Sequence, residues 1–334
     1  MPVKQHNKIV IIAVILFLIM QTLIFASIPR STENEPVNVI IKSGTSLNSI
    51  ANLLKDNDII YSSYLFMFYS FLTRSNLIAG EYELKKNMST FDIIMKMKHG
   101  ERNIYTLKII EGYNIYSVAE IIQNAKITEK DEFIRLAKNR NFLDRLKINS
   151  GSLEGYLSPD TYYYSKETDI DKFIERIVQR TFKSFEKENI RDRMQELKMD
   201  INQVLTLASM IEKEAKMKEE KPLISAVFHN RLRRNMSLDC DPTVTYGTGA
   251  FFSPITKKDL ATPTPYNTYV LRGLPKGPIC NPDKNSIMAA LFPAPVDYLY
   301  FVSRNDGTHV FSKDMATHNR FVTIYQRVKK TKKQ

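Results

Sequence analysis

An α+β fold preceded by a single membrane-spanning helix is predicted by three observations. Ile9 to Ile28 is an almost uninterrupted apolar run, broken only by Gln21 and Thr22. Three segments between Ile41 and Ile122 repeat one strand–turn–helix pattern. Beyond residue 235 helical periodicity yields to dense Pro and Gly, and the pattern closes on a β-hairpin. At 334 residues and 43% hydrophobic content, the chain can bury two or three cores.

The apolar run is long enough to span a bilayer, since twenty residues at ~1.5 Å each cover ~30 Å. A cleavable signal peptide would have an apolar region of only ~7–15 residues and small residues at its cleavage site. Here Ile24 and Phe25 occupy the places where a small residue is wanted, so the reading is an uncleaved anchor. Lys4 and Lys8 precede it, whereas Arg30 is soon offset by Glu33 and Glu35. The positive-inside rule then leaves residues 1–8 in the cytoplasm, residues 9–28 in the membrane, and exports residues 29 onward. Any substrate is outside the cytoplasm.

A polar linker, residues 29–36, leads into a strand–helix region at 37–125. Its three copies begin Ile41-Lys42-Ser43-Gly44, Leu84-Lys85-Lys86-Asn87 and Ile109-Ile110-Glu111-Gly112. They align without gaps and place Ile50/Ala51/Leu54, Ile93/Ile94/Met97 and Val118/Ala119/Ile122 at equivalent helical offsets. That i, i+1, i+4 stripe suits a helix packed on a sheet. Gly44 and Gly112 stand where a tight turn is needed, and Asn87 is expected to supply positive φ at the equivalent place. The first copy, Gly44-Thr45-Ser46-Leu47 with Ile50-Ala51, resembles a LysM module, a small βααβ fold that binds N-acetylglucosamine polymers. A purely structural strand–helix unit would show the same pattern.

Residues 126–150 read as a charged helical connector and 151–328 as a second, mixed α+β domain, followed by a basic tail at 329–334. Pro159-Asp160 is good turn chemistry. Helices are expected at about 170–189, 201–217 and 219–235, with Tyr298 to Val302 and Val310-Phe311 forming a hairpin around Asn305-Asp306-Gly307.

The formal charge of +12 would suit a nucleic-acid partner. However, the basic residues are spread along the chain without a zinc-finger, helix-turn-helix or RNA-binding signature. An exported domain also excludes that reading; anionic headgroups and wall carboxylates are the plainer partners. Cys240 and Cys280, the two cysteines, are too few for a disulfide framework, and a single bridge or two free thiols both remain open. They and five scattered histidines have no metal-ligand spacing, so neither metal nor cofactor is expected.

The chemistry points to Glu212. On a helix at ~100° per residue, Val204, Leu207, Ala208, Ile211 and Ala215 form a broad apolar arc with Ile201 and Leu205. Glu212 projects inside that arc near Ile201, Leu205 and Ala208, while Glu214 falls just beyond its opposite edge. A carboxyl among apolar neighbours is desolvated and holds its proton more readily, as a general acid requires. The bland alternative is a solvated charged face. Ordinary glycosidases use two carboxylates, and Asp160, Asp239 and Asp241 are candidates for the second. Asp241-Pro242-Thr243 reads equally as a rigid turn with a capping Asp. Tyr246, Tyr266 and Tyr269 offer flat faces for pyranose rings, and Asn267 and Asn281 offer amides.

Glu212 lies in Leu207-Ala208-Ser209-Met210-Ile211-Glu212-Lys213-Glu214-Ala215, the second member of an ordered motif series. Glu154-Gly155-Tyr156-Leu157-Ser158-Pro159-Asp160-Thr161-Tyr162 precedes it, and Asp241-Pro242-Thr243-Val244-Thr245-Tyr246-Gly247 follows. Then come Tyr266-Asn267-Thr268-Tyr269, Gly273-Leu274-Pro275, Ile279-Cys280-Asn281-Pro282, Tyr298 to Val302, and His318-Asn319. Over nearly the whole chain this series resembles the YceG-like (MltG) family of endolytic murein transglycosylases. The resemblance implies cleavage of peptidoglycan strands, with Glu212 as the single acid and base. Glu154, Tyr246, Tyr266, Asn267, Thr268, Tyr269 and Asn281 would hold the glycan. It also implies an inner-membrane protein whose partners are glycan polymerases and penicillin-binding proteins. A non-catalytic peptidoglycan-binding scaffold is the competing reading.

Overall fold

The computed structural model describes residues 10, 12–14, 17, 20, 21, 24, 27–251 and 253–327. Much of the apolar run Ile9–Ile28 therefore lies outside the described residues, as do residues 1–8 and the basic tail 329–334. Among the described residues, no helix is long and apolar enough to cross a membrane. The chain forms two compact units, one of residues up to Thr106 with Tyr163–Asp169, the other of Leu107–Tyr162 with residues from Ile170 on.

The first unit runs β1 (Pro36–Ile41), α1 (Leu47–Asp56), α2 (Ser63–Leu72), β2 (Gly80–Lys85) and α3 (Thr90–His99), ending in the start of β3 (Tyr105–Ile109). β1 and β2 pair antiparallel, with Pro36 opposite Lys85 and Ile41 opposite Gly80. Val39, Ile41, Tyr82 and Leu84 meet Ile50, Leu54, Phe66, Ile93, Ile94 and Met97 in one core. The linker is docked rather than loose: Arg30 donates to Asp58, and the Ser31 N–H to the Lys86 carbonyl.

The second unit adds α4 (Ile115–Asn124), α5 (Lys130–Ala137), α6 (Arg140–Arg145) and β4 (Asp160–Tyr164), which pairs with β3. Helices α7 (Ile170–Lys183), α8 (Glu188–Leu197), α9 (Ile201–Glu214), α10 (Lys221–Arg233), α11 (Asp241–Thr248), α12 (Lys257–Ala261) and α13 (Lys284–Leu291) follow. The hairpin β5 (Tyr300–Ser303) and β6 (His309–Ser312) and a last helix, α14 (Met315–Val322), complete it. Every residue of α9 from Val204 to Ile211 is buried, which makes it the unit's central helix, packed against α10 and α13. Pro159-Asp160 makes no free turn; Asp160 instead opens β4.

The three copies of the repeat become α1, α3 and α4, and the aligned triads are buried in all three. Ser46, Ser89 and Asn114 cap them, each accepting from the N–H three residues on. Gly44 and Gly112 have φ of 81° and 78°. Asn87 does not have positive φ. Its turn, closed by Met88 N–H to the Lys85 carbonyl, is met with ordinary right-handed geometry.

Candidate active site

A capping box between Asp200 and Gln203 starts α9, and Glu212 falls in its last turn. The Glu212 side chain is only 7% exposed. Its Oε2 accepts from Lys221 Nζ at 3.1 Å, the Asp283 N–H at 2.9 Å and Ser286 Oγ at 2.7 Å. The expected apolar surround is therefore not what meets the carboxyl. Leu205 and Ala208 are wholly buried toward the core, and Glu212 leans instead into a nest of donors between α9, α10 and α13. All three donors converge on Oε2.

Lys221, itself buried, also holds Asp283 Oδ1 at 2.8 Å. Asp283 in turn caps α13 by accepting from the Ser286 N–H. Burial alone would push the Asp283 carboxyl up, but the Lys221 ammonium and the Ser286 N–H outweigh it and hold it below the usual carboxylate range. Two carboxylates thus share one buried cation.

The turn before α4 lies over this nest. A Cβ on Gly112 would stand 3.9 Å from Glu212 Cγ and from Lys213 Cδ, so the Gly112 backbone covers the stem of the glutamate. Asn281 fixes that turn. It exchanges backbone hydrogen bonds with Gly112 and Tyr113, donates Nδ2 to the Tyr113 carbonyl and accepts on Oδ1 from the Leu157 N–H. With every polar group engaged and no exposure, Asn281 positions the turn and is not free to bind a sugar.

Two cavities flank the nest. One, of about 680 Å³, is walled by Tyr113, Tyr116, Tyr246, Phe251 and Ile279 and includes Gly112 and Lys213. The other, of about 460 Å³, includes Glu111 and Asp283 and is bordered by Lys108, Lys218 and Lys284. Glu212 itself lines neither; its neighbours Gly112 and Asp283 stand in the walls of the first and the second.

Of the remaining expected ligands, Tyr246 lines the aromatic cavity, and Tyr266 backs it at 4.8 Å between ring centroids. Tyr269 is partly exposed and gives its hydroxyl to Asp241. Glu154 is buried: its Oε2 accepts from the Tyr246 hydroxyl at 2.8 Å and the Ile115 N–H at 3.0 Å, and its Oε1 has no partner. Burial pushes this carboxyl up to about 7, against the pull of those two hydrogen bonds. Asn267 and Thr268 are fully buried too. Asn267 donates to the carbonyls of Asp259, Leu260 and Thr262, and Thr268 accepts from the Cys240 N–H beside Thr243. Glu154, Asn267 and Thr268 therefore support the walls from behind. The candidate second carboxylates each have a partner: Asp160 pairs with Arg180, Asp239 with Arg231, and Asp241 accepts from the Tyr269 hydroxyl; Asp241 lines the aromatic cavity and Asp160 the second one.

The YceG-like family model matches residues 39–324. The chain belongs to the YceG-like family. It is 35% identical over 301 residues to a Bacillus subtilis protein named endolytic murein transglycosylase, covering 85% of this chain and 83% of that one. A Streptococcus pneumoniae protein of the same name is 29% identical over 320 residues, which is 58% of its length. The crystal structure of a yceG-like protein from Listeria monocytogenes superposes with a TM-score of 0.60 at 34% identity, covering 86% of this chain and 99% of that one. The name that the Bacillus and Streptococcus proteins share is that of a lytic transglycosylase, a lyase, and the YceG-like chain is an enzyme of that class.

In this YceG-like chain, sequence reasoning missed Lys221, Asp283 and Ser286. One signal was available. Lys221 sits in the first turn of its own helix, where the macrodipole disfavours a cation, so a specific carboxylate partner was to be expected. Glu214 also departs from expectation. It is half-buried, burial pushes its carboxyl up to about 7, and the Cys240 thiol hydrogen-bonds to it. Cys240 and Cys280 are both free and buried.

Proposed function

We propose that this chain is a membrane-anchored endolytic lytic transglycosylase. On this reading it cuts the β-1,4 bond between N-acetylmuramic acid and N-acetylglucosamine within peptidoglycan strands. The observation that carries the proposal is Glu212, held by three donors on one oxygen, with its neighbours Gly112 and Asp283 in the walls of two cavities. The aromatic cavity beside it suits pyranose faces. Glu212 protonates the leaving glycosidic oxygen and then takes the proton from the muramyl C6 hydroxyl. That hydroxyl closes on C1, leaving a 1,6-anhydro end with no water consumed.

The apolar run 9–28 anchors the protein in the cytoplasmic membrane with its N-terminus inside and residues 29 onward outside. The β1–α1–α2–β2 order supports a LysM-like reading of the first unit, with N-acetylglucosamine polymers as its ligand. Cutting of nascent strands would terminate their elongation, with glycan polymerases and penicillin-binding proteins as partners. The test is digestion of purified strands by the wild type and Glu212→Gln, with products read by mass spectrometry. Anhydro-muramyl ends from the wild type, reduced at least 10²–10⁴-fold in the variant, are expected. Reducing ends would replace the mechanism with hydrolysis, and no new ends would make the chain a binding scaffold.

A further inference from the structure

Helix α2 carries a face that the protein leaves bare. Tyr64 and Phe71 are each 81% exposed, Leu72 is 59% and Phe68 is 50%. At ~100° per residue these four positions fall on one stripe, roughly a quarter of the helix circumference. The opposite side, Phe66 and Tyr69, is buried in the core of the first unit, so the orientation of the stripe is fixed by packing. Such a run of large exposed apolar side chains marks a docking surface rather than an ordinary solvated helix.

The chain itself indicates what covers it. The apolar run 9–28 ends two residues before Arg30, and Arg30 is pinned to the segment that leads into α2. Its guanidinium donates twice to Asp58, at 3.0 and 2.8 Å, and stands 4.7 Å over the Tyr61 ring. The Tyr61 hydroxyl donates back to the Arg30 carbonyl at 3.2 Å. The end of the apolar run is thus tied within a few residues of the bare helix by several contacts, not by a flexible linker. Tyr and Phe beside a leucine, followed by the exposed cation Arg74, are suited to the headgroup–acyl boundary of an anionic membrane.

We propose that the Tyr64–Phe68–Phe71–Leu72 face of α2 seats in the lipid interface of the membrane that holds the anchor. The first unit then lies on the bilayer surface as a second point of attachment instead of swinging on a tether. The proposal rests on the reading of residues 9–28 as an anchor.

The chain has no tryptophan, so Phe71→Trp installs a single reporter at an exposed position. The full-length variant is reconstituted into phosphatidylethanolamine–phosphatidylglycerol vesicles, with or without brominated acyl chains. Expected are co-flotation with the vesicles, loss of tryptophan emission in brominated lipid, and little loss to aqueous iodide. Flotation with quenching by iodide but not by bromolipid would overturn the interfacial seat alone. Protection from both quenchers would mean that protein covers the face, and would overturn it equally. Failure to float would remove the anchor and this proposal together.

Discussion

Glu212 and Glu154 are both carboxylates withdrawn from water in the same unit, yet their surroundings are opposite. Glu212 has a buried cation, Lys221, a backbone N–H and a hydroxyl on one oxygen, and its neighbours Gly112 and Asp283 line two cavities. Among the described residues Glu154 has no side-chain ion pair; it accepts from the Tyr246 hydroxyl and the Ile115 N–H and lies buried behind the aromatic wall. The first environment holds a carboxylate in place with charge-assisted hydrogen bonds. The second raises its pKa to about 7 and makes it a support. One turn joins them: Gly112 covers Glu212, and three residues later Ile115 donates to Glu154. The difference teaches that two carboxyls equally withdrawn from water can be held in opposite ways, one by a cation and one by neutral donors alone.

The comparison breaks most severely at Lys221. Lys221→Met leaves Glu212 and Asp283 without their shared cation in a dry site, which should cost about 3–5 kcal/mol of stability. Strand cleavage should fall with it, because Glu212 loses the donor that orients it. Chemical denaturation and product analysis check this, and a variant of wild-type stability would show the cation to be incidental.

The next contrast is in pH. The folded-state pKa of Glu154, about 7, lies above the ordinary glutamate value of 4.5, so the folded protein binds the extra proton between those values. Its contribution to stability is therefore lost as pH rises from about 4.5 to 7 and is constant beyond. Glu154→Gln imitates the protonated acid and cannot ionise. It should match the wild type below the window and gain on it by up to about 3 kcal/mol above. Glu214, with the same shift to about 7, should behave likewise in Glu214→Gln. Denaturation curves at several pH values decide this, and parallel pH profiles for wild type and variant would contradict it.

A smaller effect is expected at Asn281, which ties the Gly112 turn to Leu157. Asn281→Ala removes two buried side-chain hydrogen bonds and should cost about 2–3 kcal/mol. Cleavage should drop more than this loss of fold predicts, since the turn covers Glu212. Smallest is Tyr246→Phe, which removes one hydroxyl from Glu154 and should cost about 1–2 kcal/mol while keeping the aromatic wall. Thermal melts of the two variants rank them directly.

The local structure was legible because it depends on neighbours in the chain. The stripe Ile50/Ala51/Leu54 and its two counterparts could be aligned by eye, and all three become the buried faces of capped helices. The hairpin around Asn305-Asp306-Gly307 was equally readable from turn chemistry, and Asn305 and Gly307 both take positive φ there. Asn87 failed because a turn of that length closes without positive φ, so a permissive residue need not use its freedom.

What the sequence alone determined was the repeated strand–helix pattern, the late hairpin and that Glu212 belongs to a motif-bearing helix; it ran the helix from 170 past its end at Lys183, missed Glu188–Leu197, and read Asp241-Pro242-Thr243 as a turn where a helix begins. Periodicity and capping are local forces, and a motif is a property of the string. Which side chains meet was decided by tertiary structure. Lys221, Asp283 and Ser286 reach Glu212 across 9, 71 and 74 residues. Asn267, Thr268 and Asn281 look like sugar ligands as letters but are spent on backbone groups, Asn267 on its own loop and Thr268 and Asn281 on segments 28 and 124 residues away. A buried amide must satisfy its donors and acceptors wherever the chain brings partners to it, and only the packed fold specifies those partners.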